Sequence, residues 1–121
     1  MNLTRKYLTD LQAEVELIER FTQDGRDAFL RDERTQYAVM MAYARVGEIA
    51  KRIPDELLSQ HPASQWRNIK GFRDVLIHRY DEIVPERVWD AVEKLPTLRA
   101  SIEALLANLP EDEEEADTDE D

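Results

Sequence analysis

An arginine, a histidine and a tyrosine stand within one short segment of this chain, as Arg73, His78 and Tyr80. Histidine titrates near neutral pH, so His78 is suited to act as a general acid or base. Arginine is a permanent planar cation whose N–H groups match phosphate oxygens. Asp74 precedes His78 by four residues, a spacing that lets its carboxylate hydrogen-bond the imidazole and favour the charged form. These residue types are suited to proton transfer beside a bound phosphate.

The segment that carries them predicts an amphipathic helix with a charge on its apolar side. Trp66, Ile69 and Leu76 recur at helical spacing, and position 73 completes the same stripe. The residue at that position is Arg73, and a charge on an apolar stripe is costly unless it is paired or faces a cleft or a partner. The pattern therefore predicts one of those arrangements for Arg73.

Helical geometry separates the other two residues. His78 lies five residues from Arg73, about 140° around an ideal helix of 3.6 residues per turn. A long arginine side chain can still converge with it where a helix ends or distorts. Tyr80 follows Arg73 by seven residues and shares its face if the helix continues that far.

Each of these residues also has an ordinary structural interpretation. Arg73 can form an ion pair with a neighbouring acid such as Asp74 or Glu48. His78 can be a C-terminal helix residue favoured by the helix dipole. Tyr80 can be a packing residue beyond the helix. Glu48, beside a glycine, is a further candidate for a carboxylate in a cleft or for a local ion pair. The functional interpretation depends on the residues being taken together.

The elements that must position these residues are helices. Apolar residues recur at spacings of three and four, glycines are few, and no segment alternates as a strand would. Pro54, Pro85 and Pro96 mark helix boundaries. The pattern predicts an all-α fold, an antiparallel bundle of four main helices with one or two short extra ones. The main apolar stripes are Leu8, Leu11, Val15 and Ile18, widened by Leu17 and Phe21; Val39, Tyr43, Val46, Ala50 and Ile53; and Leu98, Ile102, Leu105 and Leu109.

Composition divides the chain into a balanced domain and an acidic end. The net charge is −11, but nine of the 27 acids lie in residues 111–121, which leaves 18 acids against 16 Lys and Arg. We predict one helical domain over residues 1–110 and a disordered tail over 111–121. The chain has no cysteine, no signal-like start and no membrane-spanning apolar run, so a cytoplasmic protein is expected.

Residues 73–80, R-D-V-L-I-H-R-Y, resemble the R-x4-6-H motif of HEPN ribonucleases, and in particular the R-x4-H-x-Y form of HepT-like toxins. The surroundings extend the resemblance: DERTQYAV at 32–39, the Gly47-Glu48 pair, Gly71 before the arginine, and VWDAV followed by LPTL further on. The similarity spans roughly residues 3–109. The acidic tail lies outside the family pattern.

The resemblance implies an HEPN-like homodimer whose motif-bearing helices face each other across a cleft. It implies metal-independent RNA cleavage without a cofactor, with Arg73 and His78 catalytic. Asp74, from its spacing to His78, and Glu48, from its place beside Gly47, are the supporting candidates. RNA carries its own nucleophile in the 2′-OH beside the scissile phosphate. The resemblance further implies a partner nucleotidyltransferase, an MntA-like antitoxin, that transfers AMP to Tyr80.

Two other functions remain open from the sequence. One is a non-catalytic HEPN adaptor that binds a nucleotide or a nucleotidyltransferase. The presence of both Arg73 and His78 favours the ribonuclease, because an adaptor does not need both. The other is a plain dimeric helical scaffold, which leaves the charge on the apolar stripe unexplained.

Overall fold

The computed structural model describes residues 3–110, and within that range it contains helices and turns without a strand. The helices are α1 (Thr4–Phe21), α2 (Arg26–Leu30), α3 (Glu33–Ala50), α4 (Asp55–Leu58), α5 (Trp66–His78), α6 (Pro85–Glu93) and α7 (Leu95–Asn108), with 3-10 turns at Pro62–Ser64 and Tyr80–Glu82. The predicted all-α bundle is confirmed, with α1, α3, α5 and α7 as its four long helices. The described range holds three shorter helices where one or two were expected. The prediction for residues 111–121 lies outside the described residues.

The core is built from the predicted apolar stripes of the long helices. On α1 the four residues of the stripe are almost completely buried: Leu8, Leu11, Val15 and Ile18. On α3 the stripe is buried in the same way, because residues three and four apart share a helix face. Phe21 departs from the expectation. It is the last residue of α1 and is 41% exposed, so it does not widen the buried stripe.

Helices α1 and α7 run antiparallel, and polar contacts tie both ends of the pair. Near one end the Arg99 guanidinium binds the Glu19 carboxylate through Nη2 at 2.6 Å and Nε at 3.1 Å. At the other end Arg5 Nη2 donates to the carbonyl oxygen of Leu109 at 3.1 Å. The hydrogen bond from Arg99 lowers the pKa of Glu19.

No helix within residues 3–110 combines the length and apolar character that crossing a membrane requires.

Candidate active site

Helices α3 and α5 cross at a glycine, and this crossing brings three of the five predicted site residues together. A Cβ added to Gly47 would overlap the Cβ of Arg73, and it would lie 3.2 Å from the carbonyl oxygen of Ile69. Only a residue without a side chain permits the two backbones to approach this closely. Gly47 therefore permits the short distance between α3 and α5 at Arg73. Glu48 follows Gly47 directly on α3.

The Arg73 guanidinium lies between two carboxylates. Its Nη2 is 3.0 Å from Oε2 of Glu48, and its Nη1 is 3.0 Å from Oδ1 of Asp74. The side chain is 25% exposed. These pairs explain how a charge is accommodated on an apolar stripe, because the carboxylates offset the cost of partial burial. The structure thus brings together three of the five predicted site residues, namely Arg73, Glu48 and Asp74.

Asp74 has a second cation that the sequence analysis did not single out. Lys51, the residue that follows α3, places its Nζ 2.7 Å from Asp74 Oδ1. The hydrogen bond from Lys51, followed by the one from Arg73, lowers the pKa of the Asp74 carboxyl. The expected hydrogen bond from the His78 imidazole to the Asp74 carboxylate is not formed within residues 3–110. The prediction of that contact was wrong because it considered only spacing along one helix, whereas the Asp74 carboxylate is oriented by the cations Lys51 and Arg73.

His78 is the last residue of α5, and its imidazole is exposed. Within residues 3–110 no side chain forms a hydrogen bond or an ion pair with this imidazole. It projects from a different side of the helix than Arg73, as the angle of about 140° for an ideal helix requires. The chain thus presents the arginine in a carboxylate cluster and the histidine without a side-chain partner within residues 3–110.

Tyr80 lies beyond the helix. Arg79 has φ −139° and leaves the helical backbone, and Tyr80 opens the 3-10 turn that follows. The sequence placed Tyr80 on the face of Arg73 only if the helix continued to residue 80. Because α5 ends at His78, the two residues do not share a helix face. The Tyr80 ring is 59% exposed. Its phenol is accessible to another protein.

A cleft on the other side of α5 contains three cations that the sequence analysis missed: Arg67, Arg87 and Lys94. They belong to different parts of the chain, and isolated basic residues on polar helix faces form no recognisable pattern.

Within the described range, no group of three or more His, Asp or Glu side chains is arranged to hold a metal ion.

Comparison with known proteins assigns the class. The model of the "Ribonuclease HepT-like" family matches residues 11–105. The chain therefore belongs to the HepT-like ribonuclease family, as the resemblance of its motif predicted.

Among individual proteins, the chain is 38% identical over 103 residues to "Probable ribonuclease HepT" of Thermococcus cleftensis, which covers 84% of this chain and 94% of that protein. It is 33% identical over 112 residues to "Putative RNase MJ0127" of Methanocaldococcus jannaschii, covering 91% and 93% respectively. No solved structure matches the chain significantly.

Proposed function

We propose that this protein is an endoribonuclease that acts in the cytoplasm as the toxin of a toxin–antitoxin pair. The observation that carries the proposal is the geometry of α5. This helix holds Arg73 between two carboxylates and ends in His78, whose imidazole has no partner among residues 3–110. Membership of the HepT-like family and the names of the relatives support RNA as the substrate.

The proposed reaction uses the nucleophile that RNA itself carries. The 2′-oxygen attacks the adjacent phosphorus and gives up its proton, while the bond from phosphorus to the 5′-oxygen breaks and that oxygen gains a proton. His78 transfers a proton as general base or acid. Arg73 donates to the phosphoryl oxygens, on which negative charge accumulates. The products are a 2′,3′-cyclic phosphate and a 5′-hydroxyl, and the mechanism is proposed to need no metal ion.

The ion pairs of Arg73 are compatible with this role. Each terminal nitrogen of the guanidinium has two N–H groups, and one on each side is directed to Glu48 or to Asp74. A second N–H on each nitrogen remains for a phosphate oxygen. We propose that Glu48 and Asp74 are positioning residues, which hold the guanidinium in one orientation without contacting the reacting atoms.

We further propose a homodimer with the α5 helices near the two-fold axis. The support is an exposed apolar surface around the Arg73–Glu48 pair. Ile77 is one turn beyond Arg73 on α5, and Met41 is two turns before Glu48 on α3. Met41 is 62% exposed and Ile77 is 45% exposed. A second copy of the chain would cover these side chains and would enclose the ion pair at the edge of a cleft.

The proposed activity is tested on purified protein with single-stranded RNA in excess EDTA. We expect cleavage at an undiminished rate, and we expect fragments with 2′,3′-cyclic phosphate ends, detected by mass spectrometry of the products. Loss of cleavage that returns on adding a divalent cation would contradict metal independence. Absence of cleavage both with chelator and with Mg²⁺ would favour the non-catalytic adaptor instead.

We also propose that Tyr80 is the site at which a partner nucleotidyltransferase neutralises the toxin with AMP. The exposure of its phenol supports this role. A nucleotidyl group would add a phosphate charge and a bulky base two residues from His78. The modified side chain would then compete with RNA for the motif without unfolding the bundle.

Tyr80→Phe keeps the ring but removes the accepting oxygen, so we expect the variant to fold, to retain RNA cleavage and to escape modification. Wild type and variant are incubated with an MntA-like transferase and ATP, and their intact masses are measured. Tyr37→Phe is the matched control, because Tyr37 is 57% exposed and lies on α3. The control should gain the same mass as wild type. A full gain on Tyr80→Phe would place the modification on another residue.

A further inference from the structure

A cleft lies on the side of α5 that faces α6 and the start of α7. Its volume is about 830 Å³, within the range of roughly 300–1,000 Å³ that is usual for small-ligand sites. Apolar residues from three helices line it, among them Phe72, Val75, Ala91 and Leu98. Gly71 also lines it, and an added Cβ there would meet no atom within 4 Å. We refer to it as the α5–α6 cleft.

The edge of the α5–α6 cleft is basic, whereas residues 1–110 as a whole are nearly balanced in charge. Arg67, Arg87 and Lys94 line it, against a single carboxylate from Asp90. All three cations are exposed, and none forms a side-chain hydrogen bond or an ion pair with any other part of residues 3–110. Three exposed cations against one carboxylate around a single cavity favour an anionic ligand.

The apolar wall includes an aromatic ring that is held in a defined orientation. Phe72 is half-buried and borders the cleft, and the buried ring of Tyr43 packs edge-on against it with centroids 5.8 Å apart. A fixed aromatic face beside unpaired cations has the two features by which proteins hold unpaired nucleotides, a surface for stacking and donors for the backbone phosphates.

The cleft also leads toward the proposed catalytic histidine. Gly71, Val75 and His78 follow one another on α5 at spacings of four and three residues, so the three lie along one face of the helix. The first two line the cleft, and the third is the exposed end of that face. A strand that lies in the cleft would therefore extend along α5 to the imidazole.

We propose that the α5–α6 cleft binds an unpaired nucleotide of the RNA substrate next to the cleaved phosphate. The base stacks against Phe72, and the backbone phosphates bind Arg87 and Lys94. This inference rests on the proposed ribonuclease function, and it adds the class of RNA, which is single-stranded, and the residues that hold it. A base in a duplex is stacked between its neighbours and cannot enter such a cleft.

The test measures binding apart from cleavage. The probe is a fluorescein-labelled heptanucleotide of 2′-O-methyl RNA, which lacks the nucleophile and remains intact. Its affinity is measured by fluorescence anisotropy across a salt series. Removing two phosphate contacts with Arg87→Gln/Lys94→Gln should weaken binding at least tenfold and reduce the slope of log affinity against log salt by about 1.4. Phe72→Leu should weaken binding about tenfold and leave that slope unchanged.

The control is Arg26→Gln/Arg34→Gln, which removes the same charge from two exposed cations that do not line the cleft. It should bind as wild type does. Equal losses in both double variants, or no loss in either, would overturn the proposal. A double cleft variant that binds RNA normally but becomes monomeric in light scattering would identify the cleft as a protein interface and overturn it too.

The cleavage assay distinguishes this proposal from the one on which it rests. Binding that depends on the cleft, without any cleavage of ordinary RNA, would support the cleft and contradict the ribonuclease. Cleavage at the wild-type rate by the double cleft variant, with its binding also unchanged, would support the ribonuclease and overturn the cleft alone.

Discussion

His78→Ala is expected to lower the rate of RNA cleavage by about 10²–10⁴-fold, the range for removal of a positioned acid–base group. The fold should survive the substitution. The imidazole is exposed at the end of α5 and has no hydrogen bond or ion pair within residues 3–110. Surface changes of this kind usually alter the free energy of unfolding by less than about 0.5 kcal/mol. Rates are measured with a labelled single-stranded RNA, and stability by thermal unfolding.

The chain provides a matched control in His61, its other histidine. His61 precedes the 3-10 turn before α5, and its backbone carbonyl accepts a hydrogen bond from Trp66 Nε1 at 3.1 Å. His61→Ala keeps that carbonyl, so we expect wild-type cleavage. Equal activity in both histidine variants would exclude His78 from the chemistry. Equal loss in both would show that the assay follows folding and not proton transfer.

Gly47→Ala should destabilise the protein by about 1–3 kcal/mol, the usual cost of forcing an extra methyl group into close packing. The new Cβ would overlap the Cβ of Arg73, which cannot turn away because it is attached to the backbone of α5. The two helices must separate to relieve the overlap. For a domain of this size the midpoint of thermal unfolding should fall by roughly 5–20 °C. Cleavage should fall as well, because Arg73 is displaced from Glu48.

Gly71→Ala is the comparison that isolates this effect. Gly71 is also inside a helix, but an added Cβ there meets nothing within 4 Å. Alanine is the better helix former by about 1 kcal/mol, so this variant should unfold at the same or a higher temperature than wild type. If both alanine variants were equally stable, the close approach of α3 and α5 at Gly47 would be contradicted.

The contacts of Arg73 bear on the scaffold interpretation. A plain helical scaffold left unexplained why a cation occupies an apolar stripe. The structure supplies ion pairs to Glu48 and Asp74, so the position is electrostatically tolerable without catalysis. Arg73 alone does not distinguish a ribonuclease from a scaffold; the cluster together with the unpaired His78 and membership of the HepT-like family favours the ribonuclease. The His78→Ala and His61→Ala rates distinguish the two interpretations.

The sequence by itself determined the secondary structure and most of the core. Apolar spacing of three and four predicted the long helices, because one face of each must be buried in a small bundle. The stripe of Leu8, Leu11, Val15 and Ile18 is buried as its period required. The motif on α5 also predicted the family, since its residue types and spacing are local properties of the chain.

Only the tertiary structure decided which groups face each other. Spacing paired Asp74 with His78, but Lys51, just after α3, binds the carboxylate instead, because contacts between helices depend on the crossing at Gly47. Tyr80 does not share the face of Arg73, because α5 ends at His78, two residues before Tyr80. The cations of the α5–α6 cleft are distant in sequence and carry no periodic signal. Their proximity results from the packing of α5, α6 and α7, which no pattern within a single helix encodes.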